Sequence, residues 1–267
     1  MNMIEAPLVD SHAHIYTVGM PFVDNPRHHP DYDFTAAQYL AQLDKHGIHF
    51  GVLAAASLYG TYNDYVVDSL KANPRLRGTV IVDPMVERDT LFRMKDAGVV
   101  GVRFCWISLA TAPNIDSYEY RVLLRRIRDL DWHVHLHVGR GRLAGILPFV
   151  EKSGVKTVID HLGYPDPELG LACPDFQAVL RSIDTGRTWV KLSAGYRIGR
   201  DAVMGYAREL LKVAGPERLV WGSDAPFASF ESKVTYRQTI DDLADWVPDA
   251  AARRKITADT PLKLYFS

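Results

Sequence analysis

Short apolar runs rich in β-branched residues alternate with amphipathic stretches from one end of the chain to the other. The runs read as strands over Leu8–Tyr16, Phe50–Ala56, Gly78–Asp83, Val99–Trp106, His133–Gly139, Thr157–Gly163, Trp189–Gly195 and Arg218–Pro226. Helical spacing fills the gaps at Phe34–His46, Asp64–Ala72, Thr90–Ala97, Tyr118–Leu130, Leu143–Ser153, Asp175–Ile183, Asp201–Ala214 and Thr235–Trp246. Gly47, Gly98, Gly154, Gly186 and Gly215 each follow one of these helices, where a left-handed cap is wanted. Eight strands in strict alternation with eight helices predict one (β/α)8 barrel domain over residues 1–267, with an open doubly wound sheet as the alternative. Two long connections, Thr17–Asp33 and Tyr164–Pro174, follow strand ends and are expected to roof the barrel mouth. Asp249–Ser267 is expected to add a helix against the barrel bottom or side.

Composition narrows the class. The 267 residues are 47% hydrophobic, enough for a large core and close to the length of one barrel. With 31 Lys+Arg against 32 Asp+Glu the net charge is -1, which implies neither a nucleic-acid nor a membrane-surface partner. Cys105 and Cys173 make no disulfide framework and suit a reducing cytoplasm. The first seven residues lack a signal pattern, and no apolar run approaches the roughly 18–20 residues of a membrane span. A cytoplasmic globular protein is expected.

The chemistry is sought at strand C-termini, which converge in a barrel. His12 and His14, in Val-Asp-Ser-His-Ala-His, are two apart on a strand and project to one face, where they can grip a metal or polarise a carbonyl. The later strand ends bring Ser57, Arg103, His137, His161, Arg197 and Asp224. Asp224, in Trp-Gly-Ser-Asp-Ala-Pro, is either a helix cap or a general base, and Pro226 weighs against the cap. Asp160 and His161 are adjacent, so alternation sends only one of them inward. His133, His135 and His137 share one strand face; only His137 lies near the mouth, and the other two read as interior filler or support. Arg103 interrupts an apolar strand and must be paired or meet a ligand anion, whereas Arg197 is either a ligand contact or a solvated loop charge. Gly139-Arg-Gly-Arg-Leu-Ala-Gly145 imitates a dinucleotide loop with its third glycine one position late, with Asp160 where a ribose-binding acid would sit, and there is no serine-hydrolase elbow.

As a set, Val-Asp-Ser-His-Ala-His, Gly-Val-Arg-Phe, Val-Ile-Asp-His-Leu-Gly-Tyr-Pro-Asp, Val-Lys-Leu-Ser-Ala-Gly-Tyr-Arg and Arg-Leu-Val-Trp-Gly-Ser-Asp-Ala-Pro resemble the amidohydrolase superfamily. The resemblance is to the branch of 2-pyrone-4,6-dicarboxylate lactonase and sugar-acid lactonases, and it runs from residue 9 to residue 226. It implies a barrel in which Asp224 activates water, His12, His14 and His161 surround the lactone carbonyl, and Arg103 and Arg197 hold substrate carboxylates. Ser57 matches a polar residue after the second strand. Two departures stand out. Ile107–Asn114 lacks the further arginine of the dicarboxylate lactonase, for which Arg140 or Arg142 is a candidate substitute, and His137 stands where that enzyme has a tyrosine. Many superfamily members bind metal, while the lactonases nearest in pattern work without it. The expectation is no required metal, with one zinc on His12, His14, His137 and Asp224 as the alternative.

The sequence therefore predicts a hydrolase that opens a small anionic lactone. Within the fold the alternatives are a metal-dependent decarboxylase or amidohydrolase and a lactone isomerase. A nicotinamide-dependent oxidoreductase and a non-catalytic binding protein are the alternatives from other classes.

Overall fold

A computed structural model describes residues 6–267, Arg200 through its backbone alone; the N-terminal signal reading falls largely outside these residues. Strands β1 (Val9–Ala13), β2 (Phe50–Leu53), β3 (Leu76–Val80), β4 (Val99–Trp106), β5 (His133–Val138), β6 (Lys156–Ile159), β7 (Thr188–Leu192) and β8 (Leu219–Trp221) pair in parallel and in chain order. The last meets the first: Ala13 bridges Ala225, the His14 N–H donates to the Ala225 carbonyl at 2.8 Å, and the Asp224 N–H donates to the His12 carbonyl at 2.8 Å. The sheet closes into a (β/α)8 barrel, which removes the open-sheet alternative.

Helices α1 (Ala36–Lys45), α2 (Asp64–Ala72), α3 (Arg88–Asp96), α4 (Tyr118–Asp129), α5 (Leu143–Ser153), α6 (Pro174–Ile183), α7 (Arg200–Ala214) and α8 (Tyr236–Trp246) form the outer ring. Local chemistry starts them where expected: Thr35 and Gln38 make a reciprocal capping box at α1, and Pro174 opens α6. On β5 alternation separates two environments. Val134, Leu136 and Val138 join the apolar layer shared with the helices, while the intervening histidines turn into the barrel. The C-terminal segment forms α9 (Ala250–Arg254), a wide turn over Lys255–Asp259 and α10 (Thr260–Tyr265). Tyr265 packs with Val9, Val52 and Val220 and stands edge-on to His133 at 5.1 Å, so this segment plugs the barrel bottom. No helix among the described residues is long and apolar enough to cross a membrane.

The strands stop earlier than the apolar runs suggest. Ladders end at Ala13, Leu53, Ile159, Leu192 and Trp221 rather than at Tyr16, Ala56, Gly163, Gly195 and Pro226. The chain leaves the sheet through left-handed residues, with φ of 52° at His161, 57° at Leu162, 52° at Ala194 and 64° at Asp224. The third strand begins at Leu76 and ends at Val80 rather than spanning Gly78–Asp83, because the Asn63 side chain takes the Ile81 N–H at 3.2 Å.

At the end of β8 the backbone runs hard against β1. A Cβ on Gly222 would lie 2.5 Å from the His12 Cβ and 2.7 Å from its nitrogen. Gly222→Ala is expected to push β1 away from Asp224, costing about 1–3 kcal/mol as overpacking does. Denaturant unfolding would read this, and a midpoint equal to that of the parent would refute the close approach.

Candidate active site

Seven of the residues singled out by sequence, His14, Ser57, Arg103, His137, His161, Arg197 and Asp224, line one pocket at the barrel mouth; Arg27, His28 and Cys105 line it too. His12 lies directly beneath, fully buried. A register shift in β1 between Asp10 and Ala13 aims these side chains. Asp10 turns outward, accepting from the Ser223 N–H at 2.8 Å, the Ser223 hydroxyl at 2.6 Å and the Tyr236 hydroxyl at 2.7 Å. His12 and His14 turn inward, with their Nε2 atoms 3.3 Å apart. Asp10 thus pins β1 to the segment that carries Asp224, a role the sequence did not reveal.

Asp224 is the centre of the pocket floor. Its Oδ1 lies 3.5 Å from His12 Nε2, 3.5 Å from His14 Nε2 and 3.7 Å from His161 Nε2. Its Oδ2 accepts from the Tyr196 hydroxyl at 2.5 Å and from Arg197 Nε at 3.1 Å. Burial works to raise this carboxyl, but His161, a hydrogen bond from His14, Arg197 and His12 together hold it well below the usual carboxylate range. It caps no helix. Arg197 is no solvated loop charge either: it donates to the Ala228 carbonyl at 3.0 Å and lies over the Tyr196 and Phe230 rings.

Beneath the floor lies a second carboxylate. Asp160 and His161 both enter the interior, because the left-handed backbone at His161 breaks the alternation that would have sent one of them outward. Asp160 accepts from Arg103 Nε at 2.9 Å and pairs with Lys191 Nζ at 3.1 Å. Burial opposes its charge, yet Lys191, His12 and Arg103 hold it well below the usual carboxylate range. Arg103 also donates to the Ala55 carbonyl at 2.8 Å and reaches His137 Nδ1 at 3.0 Å. Lys191, fully buried in Trp-Val-Lys-Leu, contacts His12 Nδ1 at 3.0 Å and His135 Nδ1 at 3.1 Å, and His135 meets His133 at 3.1 Å. Strand-end reading missed Lys191 because it sits inside β7; its one signal is a lysine in an apolar strand.

This network constrains the protons. His12 Nδ1 lies 3.0 Å from the Lys191 ammonium and 3.4 Å from Asp160 Oδ1, between a donor and an acceptor, while its Nε2 faces the pocket. His14 Nδ1 lies 2.7 Å from the Ala54 carbonyl, which only accepts, so Nδ1 donates to it, and Nε2 faces Asp224 Oδ1 at 3.5 Å. His161 Nδ1 meets the Ser193 hydroxyl at 2.8 Å. Burial keeps His12 and His137 well below the usual histidine range and His161 at about 4, so all three are neutral near pH 7.

His12, His14 and Asp224 offer ligand atoms within 4.8 Å of one another. His137 stands apart from that group with its Nδ1 engaged by Arg103, so the expected four-residue zinc set reduces to three. These three could hold a divalent ion through His12 Nε2, His14 Nε2 and Asp224 Oδ1, with Asp160 Oδ1 3.4 Å from His12 Nδ1 to take its proton. The Lys191 ammonium 3.0 Å from that same nitrogen and the Arg197 guanidinium on Asp224 Oδ2 already bring positive charge to the site. The dinucleotide alternative fails on local geometry. The Gly141 and Ala144 N–H groups at the start of α5 donate to the Asp175 carboxylate at 2.6 and 2.9 Å, where a pyrophosphate would bind. Of the two expected roofing loops, residues 17–33 line the pocket through Arg27 and His28; the other backs its wall through Tyr164, edge-on to His137 at 6.2 Å, and is tied at the Asp166 carbonyl by the Tyr206 hydroxyl at 3.0 Å.

With this geometry in place, the amidohydrolase family pattern matches residues 9–266. The chain belongs to the amidohydrolase family. It is 27% identical to 4-sulfomuconolactone hydrolase of Hydrogenophaga intermedia over 96% of this chain and 88% of the relative. It is also 27% identical to 2-pyrone-4,6-dicarboxylate hydrolase of Comamonas testosteroni, covering 98% and 91%. A crystal structure of an Acinetobacter baumannii protein, provisionally named 2-pyrone-4,6-dicarboxylic acid hydrolase and holding citric acid, superposes with a TM-score of 0.93. That protein is 29% identical, with 98% of this chain and 100% of the other covered.

The buried histidines of this amidohydrolase make its fold acid-sensitive. Burial, with Lys156 and Lys191 adding, lowers His133 to about 3. The unfolded value is about 6.5, so between these values the unfolded chain holds the extra proton. The stability is therefore full above about pH 6.5 and is lost as pH falls toward 3, each such histidine adding up to about 1.4 kcal/mol per pH unit. His133→Gln is expected to flatten the pH dependence of the urea midpoint by one proton's worth. An unchanged slope would show that His133 is not buried in its neutral form.

Proposed function

We propose that this amidohydrolase opens a small anionic lactone by attack of water on the ester carbonyl, with Asp224 as general base. The observation that carries the reading is Asp224 Oδ1 aimed at three imidazoles in a pocket bordered by Arg103 and Arg197. The lactone-hydrolysing relatives support the same reaction class. In this reading a water held by His14 Nε2 gives its proton to Asp224 Oδ1 as its oxygen bonds to the lactone carbonyl carbon; when the ring C–O bond then breaks, that proton passes to the departing ring oxygen. The carbonyl oxygen, as it becomes an oxyanion, is met by His12 Nε2 and by His161, both neutral and fixed by partners behind them. Arg197 and Arg103 orient the anionic end, with Ser57 and His137 on the remaining walls. Arg103 serves from below, since Asp160 and Ala55 already take two of its donors.

The proposed reaction requires no metal. That is supported by the Lys191 ammonium at His12 Nδ1 and by the guanidinium on Asp224. The free thiols Cys105 and Cys173 support a reducing, cytoplasmic setting for the enzyme.

Asp224→Asn is expected to lower kcat for an anionic lactone by roughly 10²–10⁴-fold, the usual contribution of a general base, with the far-ultraviolet circular dichroism retained. Turnover at the parental rate would remove Asp224 from the mechanism. Dialysis against a chelator, followed by elemental analysis and assay, is expected to leave activity unchanged. Activity lost with one equivalent of zinc and restored by it would make His12, His14 and Asp224 ligands instead.

A further inference from the structure

The loop over residues 17–33 is tied down on every side. Its base closes through paired backbone hydrogen bonds between Tyr16 and Phe34 at 2.9 and 3.0 Å, and the Val23 N–H donates to the Leu58 carbonyl at 2.9 Å. The Tyr16 hydroxyl donates to that of Tyr32 at 2.7 Å, which donates to Glu231 at 2.7 Å, and His28 Nδ1 meets the Ser229 hydroxyl at 2.7 Å. Arg27 sits within this fastened loop and borders the pocket beside Arg197 and His137. Its guanidinium has no hydrogen bond, ion pair or ring contact among the described residues. Such a cation on a fixed loop, aimed at a site, is prepared to receive an anion.

The charges around the pocket agree. Arg103 and Lys191 share Asp160, and Arg197 binds Asp224, so with Arg27 there are four cations against two carboxylates. Glu231, the next carboxylate outward, accepts from Tyr32 and from the Ser229 N–H and does not border the pocket. The other arginines near the mouth are engaged elsewhere. Arg142 donates to the Leu109 and Ala110 carbonyls at 2.6 and 2.8 Å, and Arg140 lies over the Tyr164 ring at 4.9 Å. Neither replaces the arginine missing from Ile107–Asn114.

We propose that Arg27 is a specificity-determining residue that binds a second anionic group on the substrate, so that the preferred lactone carries two negative charges. One is held low in the barrel by Arg197 and Arg103, the other at the rim by Arg27. This rests on the lactone reading above for its chemistry, but the second anion subsite is measurable without turnover.

The test is calorimetric titration of the full chain with isophthalate, which carries two carboxylates across one ring, and with benzoate, which carries one. The parent is expected to bind isophthalate at least tenfold more tightly. In Arg27→Met that selectivity should fall by about 10- to 100-fold, as loss of a charge-assisted hydrogen bond implies. Arg27→Lys, which keeps the charge without the planar fork, should fall between the two. Parental selectivity in Arg27→Met, equal weakening of both ligands, or no preference in the parent would overturn the proposal. If selectivity collapses while the parent hydrolyses no lactone, the subsite stands and the lactonase reading fails.

Discussion

Asp160 is a carboxylate shut away from water, and its need for countercharge shapes everything above it. A buried ion is tolerable only when paired and hydrogen-bonded. Here Arg103 and Lys191 meet it from two strands, and each also reaches neighbouring groups. Through Arg103 the constraint reaches His137 and the Ala55 carbonyl; through Lys191 it reaches His12 and His135. One carboxylate therefore sets the tilt of a pocket arginine and the surroundings of one of the two histidines nearest Asp224. Removing either cation would strand the other groups, typically at about 3–5 kcal/mol for a buried pair. The polar interior of this barrel, where branched apolar side chains are usual, follows from the same need.

The barrel was legible because both periods are strong: apolar strands buried on two faces and amphipathic helices with capping signals at their ends. Strand ends were less so. Ser-His-Ala-His, Asp-His-Leu-Gly and Gly-Ser-Asp-Ala look like continued strand by composition, yet left-handed backbone at His161, Ala194 and Asp224 peels the chain off the sheet. That departure is what lets Asp160 and His161 share the interior, which no alternation rule foresees. The first-strand histidines were placed correctly, although the register shift beside them also sends Asp10 outward to Ser223 and Tyr236. Lys191 and Arg27 escaped for opposite reasons. Lys191 lies too deep in β7 to be counted at a strand end, and Arg27 lies in a loop whose path no pattern fixes.

Arg197 joins recognition to reactivity in the proposed reaction. In this structure its Nε holds Asp224 Oδ2, and with His161, His14 and His12 it lowers the basicity of the carboxylate meant to deprotonate water. A base held so far below the pH of its medium is a poor proton acceptor. A substrate carboxylate arriving over the Phe230 and Tyr196 rings competes for that guanidinium. In the proposed reaction, drawing Arg197 toward a ligand would return basicity to Asp224, whereas a neutral lactone would leave the pair intact. One cation shared between two anions would thus carry discrimination into the chemical step as well as binding.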